Sequence, residues 1–567
     1  MRKLFIAAAF ITGFGWATAQ ETNGSVDPME NKDLMTWYHK NFQDSKIYGV
    51  NTENAYRFLE SKGLKPTPVV VGVLDSGVEI DHPGLIKNIW TNAKEIPNNG
   101  IDDDKNGYVD DVHGWNFLGS KKGDVDVDNM EVTRIVKKYQ NIFEGANSVE
   151  NKANQAKMPT EFRIYMEAKQ EFNSKSIENR RNYMFFSKVS TLVPTMISLL
   201  NGKNLTSETL RSITPKTQDE AIAEEFLGRV LQDPDVAGKS TDKVKEYLDK
   251  LMKDALGQYE PAATKQYNLD FDTRAELVGD DYDNYSEKYY GNNHYEGPDG
   301  MHGTHVAGII AGTPQGKEIQ YGVAYKVAKI MSVRTVPDGD ERDKDVANAV
   351  RYAVDNGAKI LNMSFGKPFS TGKEHVWEAF KYAQEKGVLL VKAAGNENED
   401  ISEHRAYPTN FKSVTDEKPL VDNMIVVGAS TNDNQALRAD FSNYNKKMVN
   451  VFAPGDKIYS TVLDGKYDYL QGTSMASPVV AGASAVLLAY MPNLRPHQII
   501  QALVATSNKS TSTAGLNSGA NVKFDMISQS GGVIDVEKAA EYAYEHFYKN
   551  SVKTNKVTPV KKVTVKK

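Results

Sequence analysis

The chain has 567 residues, no cysteine and a formal net charge of −6. This length exceeds what one α/β domain needs, which predicts an additional module. Without cysteine, the chain can form neither disulfide bonds nor a thiolate metal site. Nothing in this acidic net charge suggests nucleic acid, so no nucleic-acid partner is predicted. Nothing in the sequence fixes the oligomeric state.

Residues 1–19 have the pattern of a secretory signal. Arg2 and Lys3 precede an apolar run up to Trp16, and the small residues ATA at 17–19 form a cleavage site. A membrane anchor is the less favoured alternative, because the apolar run is too short to span a bilayer. We therefore expect an exported protein, periplasmic or extracellular, with no transmembrane segment after signal cleavage.

A polar lead over residues 20–66 is followed by an apolar segment that ends in an acidic residue. The segment VVVGVLDSG at 69–77 is nearly continuous in valine, which indicates a parallel strand buried on both faces. Asp75 lies at its carboxyl end, where open α/β sheets place their ligands and chemistry. A turn residue leading into Ser76 is the alternative interpretation.

An acidic loop, NNGIDDDKNGYVDD at residues 98–111, has oxygen side chains at the spacing of an EF-hand-type calcium loop. The loop departs from that motif at its twelfth position, where His113 replaces a bidentate glutamate. Acidic side chains this close repel one another unless a cation is present. We predict a structural Ca²⁺ ion, with a solvated acidic turn as the alternative. The candidate ligands are Asp102, Asp104, Asn106, the carbonyl of Tyr108, Asp110 and Asp111.

The character of the sequence changes between residues 118 and 266. Strand patterns give way to apolar residues at helical spacing, which predicts an all-α insertion. Strand and helix patterns then alternate over 267–547. Residues 67–117 and 267–547 are therefore predicted to form one α/β domain, a parallel sheet with helices on both faces. The insertion is either a stabilising appendage or a lid or substrate-recruiting arm. The Lys-rich stretch at 548–567 is expected to be a solvated tail, with a tether to an anionic surface as the less favoured alternative.

Two further segments place reactive side chains at the start of helices. MHGTHVAGIIAG at 301–312 contains His302, and GTSMASPVVAGASA at 472–485 contains Ser474. Backbone N–H groups at a helix N-terminus are unpaired and electropositive, which suits a nucleophile whose attack creates an oxyanion. For Ser474 alone, a simple helix N-cap is the alternative interpretation.

The chain order Asp75, His302, Ser474, with these flanking motifs, resembles that of the subtilisin-like serine peptidases. The resemblance covers the α/β domain and not the helical insertion. It implies the subtilisin-like fold, with Ser474 as nucleophile, His302 as general base and Asp75 as the residue that orients the imidazole. His305, one turn further along the same helix, is expected to be structural.

Two strand ends complete the site that the resemblance implies. VKAAGN at 391–396 ends in Asn396, whose side chain would donate to the oxyanion beside the Ser474 backbone N–H, or would form an Asx turn. The segments at 364–366 and 393–395 match the walls of the primary specificity pocket in this family. Their small residues predict an apolar or aromatic side chain before the scissile bond. The lining residues are Ser364, Phe365, Gly366, Ala393, Ala394 and Gly395.

The sequence therefore favours an exported serine endopeptidase that hydrolyses peptide bonds of polypeptide substrates through an acyl-enzyme intermediate. A second interpretation is a dedicated processing protease, in which the helical insertion restricts entry to one partner. A third, from another class, is a non-catalytic peptide-binding relative. The intact reactive positions argue against the third interpretation.

Overall fold

The computed structural model describes residues 32–549. The predicted signal at 1–19 and nearly all of the predicted tail at 548–567 lie outside the described residues. The described chain divides into two compact units. We call residues 32–126 and 274–549 the sheet unit and residues 127–273 the helical unit. The helical unit begins and ends a few residues later than the predicted insertion.

Most strands of the sheet unit belong to one large sheet. Within residues 32–549, nine strands form this sheet in the order β12-β15-β9-β8-β7-β6-β1-β5-β2. Its neighbouring strands run parallel, except that β12 is antiparallel to β15. The strands are β1 (Val69–Asp75), β2 (Gly114–Asn116), β3 (Gly119–Ser120), β4 (Gly123–Asp124), β5 (Ala328–Arg334), β6 (Ile360–Met363), β7 (Leu389–Ala393), β8 (Met424–Ser430), β9 (Val451–Pro454), β10 (Ile458–Val462), β11 (Lys466–Leu470), β12 (Asn508–Lys509), β13 (Thr513–Gly515), β14 (Asn521–Lys523) and β15 (Gly532–Val533).

Helices flank the large sheet and also build the helical unit. The first part of the sheet unit contains α1 (Lys32–Met35), α2 (Phe42–Ser45) and α3 (Thr52–Ser61). The helical unit contains α4 (Glu131–Phe143), α5 (Ser148–Lys157), α6 (Pro159–Thr191), α7 (Val193–Leu200), α8 (Ser207–Arg211), α9 (Gln218–Val230) and α10 (Thr241–Pro261). The sheet unit continues with α11 (Arg274–Leu277), α12 (Met301–Ala311), α13 (Asp343–Asp355), α14 (Lys373–Glu385), α15 (Thr473–Tyr490), α16 (Pro496–Thr506) and α17 (Val536–Ala543).

Apolar side chains on the two faces of β1 enter two different cores. Val71 and Val73 belong to the core that includes α12 and α15, whereas Leu74 belongs to the core that includes α13 and α14. This follows from the period of two along a strand, by which successive side chains point to opposite faces. The predicted fold class, a parallel sheet with helices on both faces, is confirmed.

Helix α15 is the most apolar long helix among residues 32–549. It is long and apolar enough to cross a membrane by length and composition, yet 94% of it is buried inside the protein. Helices α6 and α7 meet the same criterion only as a pair, and they are bent by 46° where they meet. A helix in the core of a protein is apolar on all sides. The burial of α15 against the sheet therefore accounts for its apolar composition, and no membrane is needed to explain it.

The helical unit has an apolar core of its own, which includes Val189, Met196 and Leu227. The sequence pattern predicts two helices here, over 159–178 and 182–200, and the position of that break is wrong. Helix α6 continues to Thr191, and the break falls just before Pro194. Proline lacks the N–H donor of a helix interior but fits the first turn, so it begins α7 instead of interrupting α6.

A buried ion network fixes the segment through which the chain re-enters the sheet unit. Arg274 donates from Nη1 and Nη2 to the two carboxylate oxygens of Asp345 at 2.8 and 2.7 Å, and from Nε to Asp280 at 2.9 Å. Lys344 Nζ donates to Asp280 and to Glu287, each at 2.8 Å. The Arg274, Asp280, Asp345 and Lys344 side chains are at most 4% exposed. The network therefore holds the segment before α12 against α13.

Replacing Asp345 by asparagine should destabilise the protein strongly. The change leaves the Arg274 cation buried with its main charge partner removed, and breaking a buried ion pair from one side costs about 3–5 kcal/mol. We expect the urea midpoint of unfolding to fall accordingly. The control Asp464→Asn changes a side chain that is 79% exposed, and its free energy of unfolding should move by less than about 0.5 kcal/mol. Equal midpoints for the two variants would contradict the role of the network.

Candidate active site

The candidate catalytic residues lie at the carboxyl ends of three neighbouring strands. Asp75 is the last residue of β1, Ser364 follows β6, and Asn396 lies shortly after β7. These strands are adjacent in the order β7, β6, β1, and Leu74 of β1 is paired with Met363 of β6. Adjacent strands lie about 4.8 Å apart. The sheet thus brings together side chains that are far apart in sequence.

His302 contacts Asp75 directly. Its Nδ1 lies 2.6 Å from Asp75 Oδ1, across 227 positions of sequence. The approach of α12 to β1 depends on Gly303, because a Cβ at that position would lie 2.1 Å from the carbonyl oxygen of Gly77. Asp75 is 2% exposed and also accepts the backbone N–H of Ser76 at 2.8 Å. The carboxylate is therefore fixed in place against the imidazole.

The electrostatics of this pair favour a protonated imidazole. Burial lowers the pKa of His302, but the charge of Asp75, their hydrogen bond and the charge of Asp299 outweigh it. The net pKa is raised above the ordinary value of 6.5. A proton on Nδ1, facing Asp75, leaves Nε2 as the basic nitrogen.

His305 is a buried structural histidine. Its Nε2 lies 3.0 Å from the carbonyl oxygen of Ile458 and 3.2 Å from that of Asp468. Burial lowers its pKa to about 3, so it stays neutral at physiological pH. A neutral imidazole between two carbonyls matches the structural role that the sequence predicts for this residue.

Ser474 is held at the end of β6 by a pair of reciprocal hydrogen bonds. Its Oγ donates to the carbonyl oxygen of Ser364 at 3.0 Å, and Ser364 Oγ donates to the carbonyl oxygen of Ser474 at 2.8 Å. The hydroxyl lies in the first turn of α15 and points to Ser364 rather than to His302. A rotation about the Cα–Cβ bond would redirect it, and catalytic hydrogen bonds often form only in the substrate complex.

Two N–H donors lie near one point beside Ser474. Asn396 Oδ1 accepts the backbone N–H and the Oγ1 hydroxyl of Thr473 at 2.8 and 2.9 Å, which fixes the orientation of its amide. A Cβ on Gly472 would lie 3.5 Å from Asn396 Nδ2 and 3.5 Å from the backbone nitrogen of Ser474. Gly472 has φ of +152°, where a side chain is strained, so residue 472 places no side chain at this point. The arrangement suits the stabilisation of an oxyanion.

The two predicted walls of the specificity pocket are neighbours, since β6 and β7 are paired through Met363 and Lys392. Lys392 was not among the predicted pocket residues, although a charged residue inside an apolar strand is unusual. Its Nζ donates to the carbonyl oxygen of Ala393 at 2.7 Å. Among the predicted lining residues, the structure buries Ser364, Ala393 and Ala394 and leaves Phe365, Gly366 and Gly395 partly exposed.

The acidic loop assembles a different group of carboxylates from the predicted one. Ligand atoms of Glu95, Asp104 and Asp111 lie within 4.8 Å of one another. Glu95 precedes the loop and accepts the backbone N–H groups of Asp104 and Asp110, each at 3.1 Å. No spacing rule indicates Glu95, because it belongs to no loop motif. Burial, with the charge of Asp104, raises the pKa of Asp111 to about 6 despite three hydrogen bonds to its carboxylate.

Two other predicted acidic ligands, Asp102 and Asp110, do not belong to this group. Asp102 accepts two backbone N–H groups of the loop at 3.0 and 2.8 Å, and Asp110 accepts two at 3.1 and 2.9 Å. Asn106 donates its side-chain N–H to Asp111 at 3.0 Å, and Tyr108 packs its ring in the core of the sheet unit. These contacts shape the loop and orient Asp111.

Comparisons with known proteins agree with this geometry. The serine proteinase described as thermophilic, from Bacillus sp. (strain AK1), is 38% identical over 213 residues, which are 37% of this chain and 48% of that protein. Fervidolysin of Fervidobacterium pennivorans is 38% identical over 234 residues, 37% of this chain and 31% of that protein. Subtilisin DY of Bacillus licheniformis is 34% identical over 241 residues, 42% of this chain and 77% of that protein.

The first two relatives are matched over less than two thirds of their own length. The model of the subtilase family of peptidases, in contrast, matches residues 67–521 of this chain. This match includes every residue assigned above to the candidate active site, from Asp75 to Ser474. The chain belongs to the subtilase family.

Proposed function

We propose that this chain is an exported serine endopeptidase that hydrolyses peptide bonds in polypeptide substrates. The observation that supports this most directly is the Asp75–His302 hydrogen bond at the same sheet edge as Ser474 and its two N–H donors. Family membership and the serine proteases among the relatives support the reaction class. The expectation of export depends on the signal pattern at 1–19, outside the described residues.

The reaction would begin with attack of Ser474 Oγ on the carbonyl carbon of the scissile peptide bond. His302 Nε2 takes the hydroxyl proton as the new C–O bond forms, because a neutral hydroxyl is a weak nucleophile. Asp75 holds Nδ1 and stabilises the imidazolium. The carbonyl oxygen becomes an oxyanion that accepts hydrogen bonds from the Ser474 N–H and Asn396 Nδ2.

Collapse of this intermediate breaks the C–N bond, and His302 gives its proton to the leaving amine. The product is an ester between Ser474 and the acyl part of the substrate. Water then attacks the ester with His302 again as the base, which releases the carboxylic acid and restores the serine. The residues that line the substrate on its acyl side are proposed to be 364–366 and 393–395.

Ser474→Ala should abolish hydrolysis. Subtilisin loses on the order of 10⁶-fold in turnover when its nucleophile is removed, and we expect a loss of that order here. Casein and a fluorogenic peptide would serve as substrates, with an active-site-directed fluorophosphonate as a label. Ser484→Ala is the matched control, because Ser484 lies on the same helix with its hydroxyl on the carbonyl of Val480, and it should retain both activity and labelling.

Three results of that experiment separate the interpretations. Labelling with casein hydrolysis supports a general endopeptidase. Labelling without casein hydrolysis would indicate a processing protease with restricted access. A well-folded wild type that is neither labelled nor active would contradict the proposal and favour a peptide-binding protein.

Asp75→Asn should lower kcat/KM by roughly 10⁴-fold at pH 7 and move the acid limb of the pH profile to lower pH. Catalysis needs the neutral imidazole, so activity falls as pH decreases through the pKa of His302, which lies above 6.5 in the wild type. Loss of the Asp75 charge lowers that pKa. The control Asp299→Asn, which keeps the hydrogen bond, should shift the limb less and in the same direction. An unchanged or raised midpoint in Asp75→Asn would contradict this assignment.

We further propose that the acidic loop binds a structural Ca²⁺ ion through Glu95, Asp104 and Asp111. Calcium accepts carboxylate oxygens at roughly 2.3–2.6 Å, so two ligands on opposite sides of one ion lie up to about 5 Å apart. The 4.8 Å limit within this group fits that requirement. The raised pKa of Asp111 reflects a buried charge without enough compensation, which a bound cation would supply.

EGTA should lower the melting temperature of the wild type by several degrees. An ion at 100 times its Kd adds about 2.7 kcal/mol to the stability of the folded state, and each kcal/mol corresponds to roughly 2–4 °C in a domain of 150–250 residues and to less in a larger one. Asp111→Asn should remove the difference between calcium and EGTA. Asp102→Asn, whose carboxylate binds backbone N–H groups instead, should retain it. A wild-type melting curve that is insensitive to EGTA would contradict the site.

A further inference from the structure

Lys392 is a buried cation at the junction of the two proposed pocket walls. It lies in β7, is 2% exposed, and its Nζ donates one hydrogen bond, to the carbonyl oxygen of Ala393 at 2.7 Å. An ammonium group has three donors. Among residues 32–549, no carboxylate lies within the 4 Å of Nζ that defines an ion pair. Burying a charge without a partner is unfavourable, so the burial of Lys392 destabilises the free protein.

The charged groups around Lys392 do not neutralise it closely. Glu341 and Glu397 influence it only from beyond ion-pair distance. Burial raises the pKa of Glu341, against the effect of Lys367, which reduces its negative charge near neutral pH. Lys367 is itself paired with Asp343 at 3.1 Å. Burial lowers the pKa of Lys392 to about 8, so its ammonium form still dominates at pH 7.

Gly366, on the other pocket wall, lies beside this ammonium group without a side chain to cover it. A Cβ on Gly366 would lie 3.6 Å from Lys392 Nζ and 3.0 Å from the carbonyl oxygen of Tyr407. Any larger residue at 366 would therefore place its side chain over the lysine. Gly366 is partly exposed, so the wall beside Nζ reaches the surface at this residue, where the side chain of a bound peptide could approach.

We propose that Lys392 gives this protease a preference for an acidic side chain, glutamate or aspartate, immediately before the scissile bond. The proposal rests on the function proposed above, and it replaces the expectation of an apolar or aromatic side chain in the pocket. The carboxylate of the substrate would accept a charge-assisted hydrogen bond from Nζ, using a donor that the folded chain leaves unused. A neutral amide of the same shape would leave the buried charge uncompensated.

The test uses matched fluorogenic peptides with Glu, Gln or Leu before the cleaved bond and an otherwise identical sequence. For the mature wild-type enzyme, kcat/KM for Glu should exceed that for Gln by about 10- to 100-fold, the range expected for a hydrogen bond to a charged group. The Glu/Gln ratio should fall as pH rises through 8, because kcat/KM follows ionisation of the free enzyme. This peptide series uses only the wild-type enzyme, so it tests the preference for an acidic side chain even if substitutions disturb folding.

Lys392→Met should bring the Glu/Gln ratio to 1 or below and raise the relative rate for Leu, since methionine has a similar length without the charge. Lys381→Met, on the exposed side of α14, is the control and should keep the wild-type ratio. A ratio near 1 in the wild type, or the same ratio in Lys392→Met as in the wild type, would overturn the specificity proposal. If fluorophosphonate still labels Ser474 in that case, the proposed function stands; if no peptide is cleaved and nothing is labelled, both proposals fail.

Discussion

The candidate active site depends on one structural constraint, the alignment of the carboxyl ends of β7, β6 and β1. Each strand end places a different group: an amide at Asn396, a carbonyl at Ser364 that holds Ser474, and a carboxylate at Asp75. Two helices then approach this edge with their N-termini, where unpaired N–H groups provide positive potential. The reactive groups are positioned by parallel strand pairing, which is rigid, rather than by surface loops, which are not.

The same constraint explains how a helical unit can lie between Asp75 and His302 in sequence without disturbing their contact. The chain is anchored inside the sheet unit at two points, the point where it leaves the unit and the point where it re-enters. Val125 accepts a hydrogen bond from Arg334 Nη2 at 2.6 Å, and Arg274 is paired with Asp345. Both ends of the insertion are fixed, and the entropic cost of closing a loop between fixed ends grows only slowly with the length of the loop. The geometry of His302 is therefore set locally, by Gly303 and the end of β1.

The sequence predicted the elements whose patterns are regular. A clear apolar period with acidic residues at its start predicts a helix over 343–355, and helix α13 has these bounds, Asp343 to Asp355. Strands β10 and β11 were not predicted, since the polar residues in β11, such as Lys466 and Asp468, conceal a short hairpin. Glu95 could not be identified, because it reaches the acidic loop through space alone. Lys392 was visible as a charge in an apolar strand, but only the structure shows that its Nζ lies beside Gly366.

Lys392 also illustrates why stability and function must be weighed separately at this edge of the sheet. A buried charge with one neutral hydrogen-bond partner reduces the stability of the free protein, and an apolar side chain of similar length would avoid that loss. The structure compensates partly, through Glu341 and Glu397 at a distance, yet leaves no close counter-ion among the described residues. An anionic substrate group is the missing counter-ion, so the unfavourable energy of the free state becomes affinity for one class of ligand. Unsatisfied buried groups of this kind are expected at sites where a protein meets its substrate.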